Sequence, residues 1–134
     1  MFSTTQMGER SIRRYRKMIR IYHPIDQCSN NTSRNWAYLS AEVFRHLGMP
    51  RHVEVEYNED NGQLKFRPSL ASDTALTVWK SNGSCTGNVS LGSFMNFCGV
   101  NRLKPKRYSA ACVFEQDTPV AIIYVEQEEV CKTL

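Results

Sequence analysis

Two neighbouring segments with strict apolar–polar alternation constrain this chain more than any other feature. In His52–Tyr57 the apolar residues stand at odd positions, and in Gln63–Arg67 they stand at even positions. A period of two is typical of a strand with one buried and one wet face, and the Asn, Asp and Gly residues between the segments favour a turn. A turn of two residues (61–62) or of four (59–62) places the apolar residues of both strands on one face. The sequence therefore predicts a β-hairpin with oppositely charged residues facing each other across it, Glu54 or Glu56 with Lys65 or Arg67.

Upstream of this hairpin the pattern predicts strands and one short helix. Met18–Tyr22 is rich in β-branched and aromatic residues and is stopped by a proline, whereas residues 25–35 are polar and typical of a loop. Trp36–Leu39 is predicted to be a strand that leads into a helix. Ser40 is a residue type that caps helix starts, and Gly48 is one that ends helices.

A similar order of elements returns about fifty residues later. Strands are predicted at 75–79 and 88–91, and the second of them runs into a short helix that ends at Gly99. A second hairpin follows, with its turn at residues 116–119 and a strand at 120–125 that is apolar on both faces and therefore central in the sheet. The resemblance between the two halves lies in pattern more than in identity.

These elements predict an α+β, mostly β fold in a chain of single-domain length, 134 residues. Two strand–short helix–β-hairpin halves are expected to pack into one small β-barrel-like or sandwich core. We expect a basic N-terminal arm at 1–17, a single β-rich domain at 18–126 and a polar tail at 127–134. Within the domain, the two pseudo-repeats cover about 18–68 and 75–126.

The charged residues are segregated along the chain, although the net charge is only +4. Blocks of Lys and Arg bind the phosphates of nucleic acid and release the counterions of those phosphates. The basic blocks of this chain therefore indicate a charged macromolecule as the partner. An equally weighted alternative is that the first block is a solvated terminus. The first basic block is Arg10, Arg13, Arg14, Arg16, Lys17 and Arg20, the second is Arg102, Lys104, Lys106 and Arg107, and an acidic group comprises Glu54, Glu56, Glu59 and Asp60.

The sequence gives little sign of catalytic or metal chemistry. Nucleotide-binding glycine loops, H-E-x-x-H and G-x-S-x-G are absent, and five widely spaced cysteines fit neither a disulfide framework nor a zinc site. His46 and His52, together with Glu54 or Glu56, are candidates for a metal site, but we expect both histidines to be surface residues rather than metal ligands. We therefore predict a protein that is not an enzyme and that needs no cofactor.

Two further expectations concern the location of the protein and its tryptophans. No apolar run reaches the length of a membrane span, and Met1–Gly8 is polar where a signal peptide is apolar, so a cytoplasmic protein with no membrane partner is expected. Trp36 and Trp79 both fall in predicted strands, where packing in the core is the more frequent outcome.

The segment 36–49, together with residues 53–55 and 64–68, resembles the swapped-hairpin module of AbrB/SpoVT-type transition-state regulators and antitoxins. It is also similar to small bacterial and phage proteins with two such halves. In that family an intertwined dimer presents basic residues to DNA, especially an arginine just before the strand that leads into the helix. This chain has Trp36 and Asn88 at those positions. The resemblance therefore favours the scaffold, either as a homodimer or closed within one chain, more than the same DNA-binding surface.

Two functional hypotheses remain open at this point. The first is a DNA-binding AbrB-like regulator that contacts the phosphates of duplex DNA through its basic blocks. The second is a phage-encoded, anti-CRISPR-type inhibitor that binds a host defence nucleoprotein in the host cytoplasm. In this hypothesis the acidic hairpin imitates phosphates, or the basic arm binds a nucleic-acid or acidic protein surface. The residue-level resemblance places the regulator slightly ahead.

Overall fold

The computed structural model describes residues 17–24, 35–80, 83–100 and 102–128. Strands dominate this part of the chain. They are β1 (Met18–Tyr22), β2 (Trp36–Leu39), β3 (His52–Asn58), β4 (Gln63–Ser69), β5 (Leu76–Lys80), β6 (Gly87–Ser90), β7 (Arg107–Ser109), β8 (Ala111–Glu115) and β9 (Thr118–Tyr124), and the described helices are α1 (Ala41–His46) and α2 (Gly92–Phe97). Neither helix has the length or the apolar character required to cross a membrane.

The nine strands form one sheet in the order β7-β1-β2-β6-β5-β3-β4-β9-β8, and all neighbouring strands are antiparallel. The two end strands, β7 and β8, follow each other in the chain and are separated only by Ala110, whose N–H donates to the Lys17 carbonyl at 2.9 Å. The sheet therefore curls back on itself and is nearly closed. A mostly β, barrel-like architecture is thus confirmed.

Strand β5 turns one corner of this barrel because it changes partner along its length. Leu76 and Thr77 pair with β3, whereas Val78, Trp79 and Lys80 pair with β6. The strands from β7 through β1, β2 and β6 to the end of β5 form one wall, and the strands from the start of β5 through β3, β4 and β9 to β8 form the other. We call these the first wall and the second wall.

The core fills the space between the walls with alternate side chains from each strand. Ile19, Ile21, Ala37 and Leu39 point inward from the first wall and have no exposed surface, and Val53, Leu64 and Phe66 do the same from the second. Phe44 of α1 is also buried and approaches Gly87 of β6 closely enough that a side chain at that position would collide with it and with Val78. This packing places one end of the first wall under α1.

The predicted hairpin is confirmed in its longer form. Val55 lies opposite Phe66 and Asn58 opposite Gln63, so the turn has four residues, 59–62. Glu54 lies opposite Arg67 and Glu56 opposite Lys65, as expected. The ion pair that forms is nevertheless diagonal, between Arg67 and Glu56 at 2.7 Å.

Two local predictions need correction. The second hairpin turns at Gln116 and Asp117 alone, and β9 already begins at Thr118; both turn residues have positive φ, as a two-residue type I′ turn requires. Ser40 precedes α1 but does not cap it with its side chain. Its Oγ instead accepts the Met18 N–H at 3.2 Å, because β1 lies alongside the start of the helix.

Candidate nucleic-acid interface

One described residue from each basic block lies on the first wall, although the two blocks are far apart in the sequence. Arg20 of β1 and Arg107 of β7 are direct cross-strand partners, and both side chains are exposed. They lie outward because the intervening positions Ile19, Ile21 and Tyr108 fill the core. Backbone pairing therefore places two arginine residues next to each other on the outer surface of the first wall.

Beside these arginines lies an open groove with a volume of about 1050 Å³. We call it the basic groove. The residues that give it chemical character are Arg20, Tyr22, His23, Arg102, Lys106 and Arg107.

Asn35 connects two segments beside the basic groove, the one that contains His23 and the one that contains Leu103. It is 1% exposed, and its Oδ1 accepts the Leu103 N–H at 2.9 Å and lies 2.9 Å from His23 Nε2. Because the backbone donor identifies this atom as the oxygen, His23 Nε2 is the donor in this contact. Nδ1 is buried, with no partner among the described residues.

An acidic segment at residues 126–128 covers part of the second basic block. Leu103 and Gln127 form an isolated β-bridge, Arg102 forms an ion pair with Glu128, and Lys106 forms one with Glu126. The hydrogen bond between the last pair raises the pKa of Lys106 and lowers the pKa of Glu126. The positive charge of these two cations is thus partly compensated within the chain.

Aromatic side chains continue outward from the basic groove across the first wall. Tyr22, Trp36 and Tyr38 project from alternate positions of β1 and β2 and are half-buried, whereas Trp79 of β5 is 61% exposed. The expectation of core packing for both tryptophans is wrong, because the inward positions next to them belong to Ala37 and Val78. We call these four aromatic residues the aromatic face.

Tyr22 is fixed in position on the aromatic face. Its hydroxyl donates to Asn88 Oδ1 at 2.8 Å, its ring centre lies 6.3 Å from that of Trp36, and the Arg20 guanidinium carbon lies 5.6 Å from the ring centre. Burial raises the pKa of the Tyr22 hydroxyl, and the charge of Arg20 partly offsets that effect. The cationic and aromatic parts of the surface are thus in direct contact.

The remaining predicted site residues are distributed as follows. Arg10, Arg13, Arg14 and Arg16 lie outside the described residues. Lys17 and Lys104 are exposed and do not line the basic groove. On the second wall, Glu56 is paired with Arg67, Glu54 Oε1 lies 3.5 Å from the Ser69 hydroxyl, and Glu59 and Asp60 are exposed at the turn. The acidic hairpin is therefore less negative than its composition indicates.

The described residues give no sign of a metal centre. No group of three or more His, Cys, Asp or Glu side chains within 17–24, 35–80, 83–100 and 102–128 is arranged to hold an ion. His46, weighed above as a ligand, uses Nε2 toward the Val113 carbonyl oxygen at 2.9 Å and packs its ring against Phe114. It attaches α1 to the hairpin of β8 and β9.

Comparison of the chain with models of known protein families, with curated proteins and with solved structures gives no match.

Proposed function

We propose that this protein binds nucleic acid through its basic groove and acts as a non-enzymatic regulator. The observation that carries the proposal is the cross-strand pairing of Arg20 with Arg107, since it brings one residue of each basic block onto the same wall. Closely spaced guanidinium groups bind phosphate oxygens with directional, charge-assisted hydrogen bonds. Duplex DNA is the partner that the family resemblance implies.

We further propose that the scaffold consists of two similar halves closed within one chain. In support, the hydrogen bonds that end the two helices are equivalent: Leu47 N–H to Val43, Gly48 N–H to Arg45 and Met49 N–H to Phe44 in one, and Cys98 N–H to Phe94, Gly99 N–H to Asn96 and Val100 N–H to Met95 in the other. Gly48 and Gly99 both have positive φ, +84° and +81°. Such a protein needs no swapped partner to complete its AbrB-like sheet.

Inhibition of a host defence nucleoprotein is the second proposal. The feature that favours it is the exposed turn with Glu59 and Asp60, which offers negative charge to an arginine-lined channel. The pairing of Glu56 with Arg67 reduces that charge. We therefore rank this function below nucleic-acid binding.

The test of the first proposal compares two double variants that lose the same charge. Arg20→Ala with Arg107→Ala removes the paired guanidinium groups, and Lys65→Ala with Arg67→Ala removes two cations from the second wall. Anisotropy titrations of labelled duplex DNA at low salt should show affinity loss of about tenfold per arginine in the first variant. The second should bind nearly as the wild type does, after thermal melting confirms that both variants are folded.

Equal losses in the two double variants would show that binding follows net charge and has no specific site. An unchanged affinity in the Arg20/Arg107 variant, or no binding by the wild type at low salt, would reject the basic groove as the interface.

A further inference from the structure

One row of outward side chains runs across the whole first wall. The cross-strand partners are Arg107 with Arg20, Arg20 with Tyr38, Tyr38 with Asn88, and Asn88 with Trp79. Neighbouring strands are about 4.8 Å apart, so four steps span roughly 19 Å. The row begins with two cations and ends with an exposed indole.

A second outward row stiffens the first. Tyr22 lies opposite Trp36, and Trp36 lies opposite Ser90. The Tyr22 hydroxyl bonds to Asn88 in the first row, so its ring spans β2 between the rows. Rings held in this way lose little further conformational freedom when a flat ligand settles on them.

Exposed aromatic rings beside cations have a particular chemical use on a β-sheet. Bases stack on aromatic side chains whatever their sequence, and arginine or lysine side chains follow the phosphates. An intact duplex keeps its bases stacked on one another, so their faces are not available to Trp79. A strand with unpaired bases offers both the faces and the phosphates that this surface matches.

We propose that the outer surface of the first wall binds single-stranded nucleic acid, with bases stacked on Trp79 and the aromatic face and with phosphates at Arg20 and Arg107. This inference rests on the proposed function and adds unpaired strands, beside duplex DNA, as a class of nucleic acid that this wall binds. Trp79 is the binding residue that defines it, because 61% of its surface is exposed at the far end of the row.

The chain offers a matched control for Trp79. Tyr124 of β9 is 57% exposed, and it faces outward from the second wall opposite Gln63. Trp79→Ala and Tyr124→Ala thus remove aromatic side chains of similar exposure from opposite walls. Trp79→Phe keeps a stacking ring at the first position.

The experiment titrates each full-length variant with an oligothymidylate of about 12 nucleotides, within the range of known site sizes, and with a duplex of equal length. Trp79→Ala should weaken binding of the single strand by roughly 5- to 150-fold, with a smaller loss for Trp79→Phe and no loss for Tyr124→Ala. Duplex affinity should change little in all three variants. In the wild type, the single strand should also quench tryptophan fluorescence.

The outcomes separate this inference from the function on which it rests. If Trp79→Ala binds oligothymidylate as tightly as Tyr124→Ala does, the stacking role is rejected, and duplex binding through Arg20 and Arg107 still supports the proposed function. If the wild type binds neither oligonucleotide at low salt, both proposals are rejected, and the aromatic face must serve another kind of partner.

Discussion

At the scale of single residues, Asn35 joins three separate segments of the candidate interface. Its side-chain oxygen serves the Leu103 N–H and His23, and its backbone carbonyl accepts the Leu91 N–H at 2.7 Å. It therefore connects the end of β1, the second basic block and the start of α2. A buried amide with this many partners is costly to remove, because the partners are left without hydrogen bonds.

We predict that Asn35→Ala lowers the free energy of unfolding by about 1–3 kcal/mol, because the Leu103 N–H and His23 lose their acceptor in a buried site. Urea denaturation measures this change. The matched control is Asn96→Ala at an exposed position of α2, which should change stability by no more than about 0.5 kcal/mol. Equal midpoints for the two variants would show that Asn35 does not join the groove.

At the scale of elements, the turn between β3 and β4 depends on a glycine. Gly62 has a φ of +75°, and a Cβ atom there would lie 2.7 Å from the Val125 carbonyl oxygen. The Val125 N–H donates to the Gly62 carbonyl at 2.8 Å, so the two backbones cannot easily separate. The close approach attaches the hairpin to the chain after β9.

We predict that Gly62→Ala is more destabilising than Gly83→Ala. Gly83 has a similar φ of +71° but nothing within 4 Å of the added carbon, so it isolates the cost of the left-handed conformation, about 1–2 kcal/mol. Gly62→Ala should exceed that cost because the added carbon also collides with backbone. Thermal unfolding of both variants tests this, and a smaller loss for Gly62→Ala would contradict it.

The acidic segment at residues 126–128 reduces the net positive charge of the basic groove. Glu126→Gln with Glu128→Gln should increase affinity for nucleic acid at low salt, because Lys106 and Arg102 lose their internal partners and become available to phosphates. Anisotropy titration of the same labelled DNA measures the gain. The control is Glu54→Gln with Glu59→Gln on the hairpin, and an equal gain there would mean that only net charge matters.

The ion pair between Lys106 and Glu126 predicts how the affinity for nucleic acid changes with pH. The pKa of Glu126 is lowered by its hydrogen bond to Lys106, so its carboxylate keeps its charge to a lower pH than an ordinary glutamate does. The pairing is complete above the unfolded pKa and is lost as pH falls through the folded pKa. Affinity for nucleic acid should therefore rise on acidification in the wild type and rise less in the Glu126→Gln variant.

At the scale of the whole molecule, local patterns predicted the pairing of strands that are close in the sequence but not of strands that are far apart. Alternation in His52–Tyr57 and Gln63–Arg67 was sufficient to predict which residues share a face of that hairpin, but it left two registers open, of which the one with the four-residue turn forms. The pairing of Arg20 with Arg107 depends on closure of the barrel, which no local pattern encodes. The charge pattern of the sequence was therefore sufficient to identify the basic residues, but it did not predict that Arg20 and Arg107 are cross-strand partners.

The tryptophans were assigned to the wrong side for a related reason. In the strand Trp36–Leu39, the two aromatic residues Trp36 and Tyr38 share one face, and Ala37 and Leu39 share the other. The sequence alone does not tell which of these two faces the core will cover. In the structure, aliphatic side chains together with Phe44, Phe66 and Tyr108 fill the barrel, and both tryptophans remain on its outer surface. The alternation of Ile19 and Ile21 around Arg20 was the available signal that this wall has a wet, charged outer surface.

The central claim, that paired arginines on the first wall bind phosphates, is tested most directly by the salt dependence of binding. The slope of log affinity against log salt counts the phosphates neutralised, at about 0.7 to 0.9 per contact. We predict that Arg20→Ala with Arg107→Ala makes this slope shallower by about 1.4 to 1.8, whereas Lys65→Ala with Arg67→Ala leaves it unchanged. A slope that is the same in the wild type and in the Arg20/Arg107 variant would contradict the account.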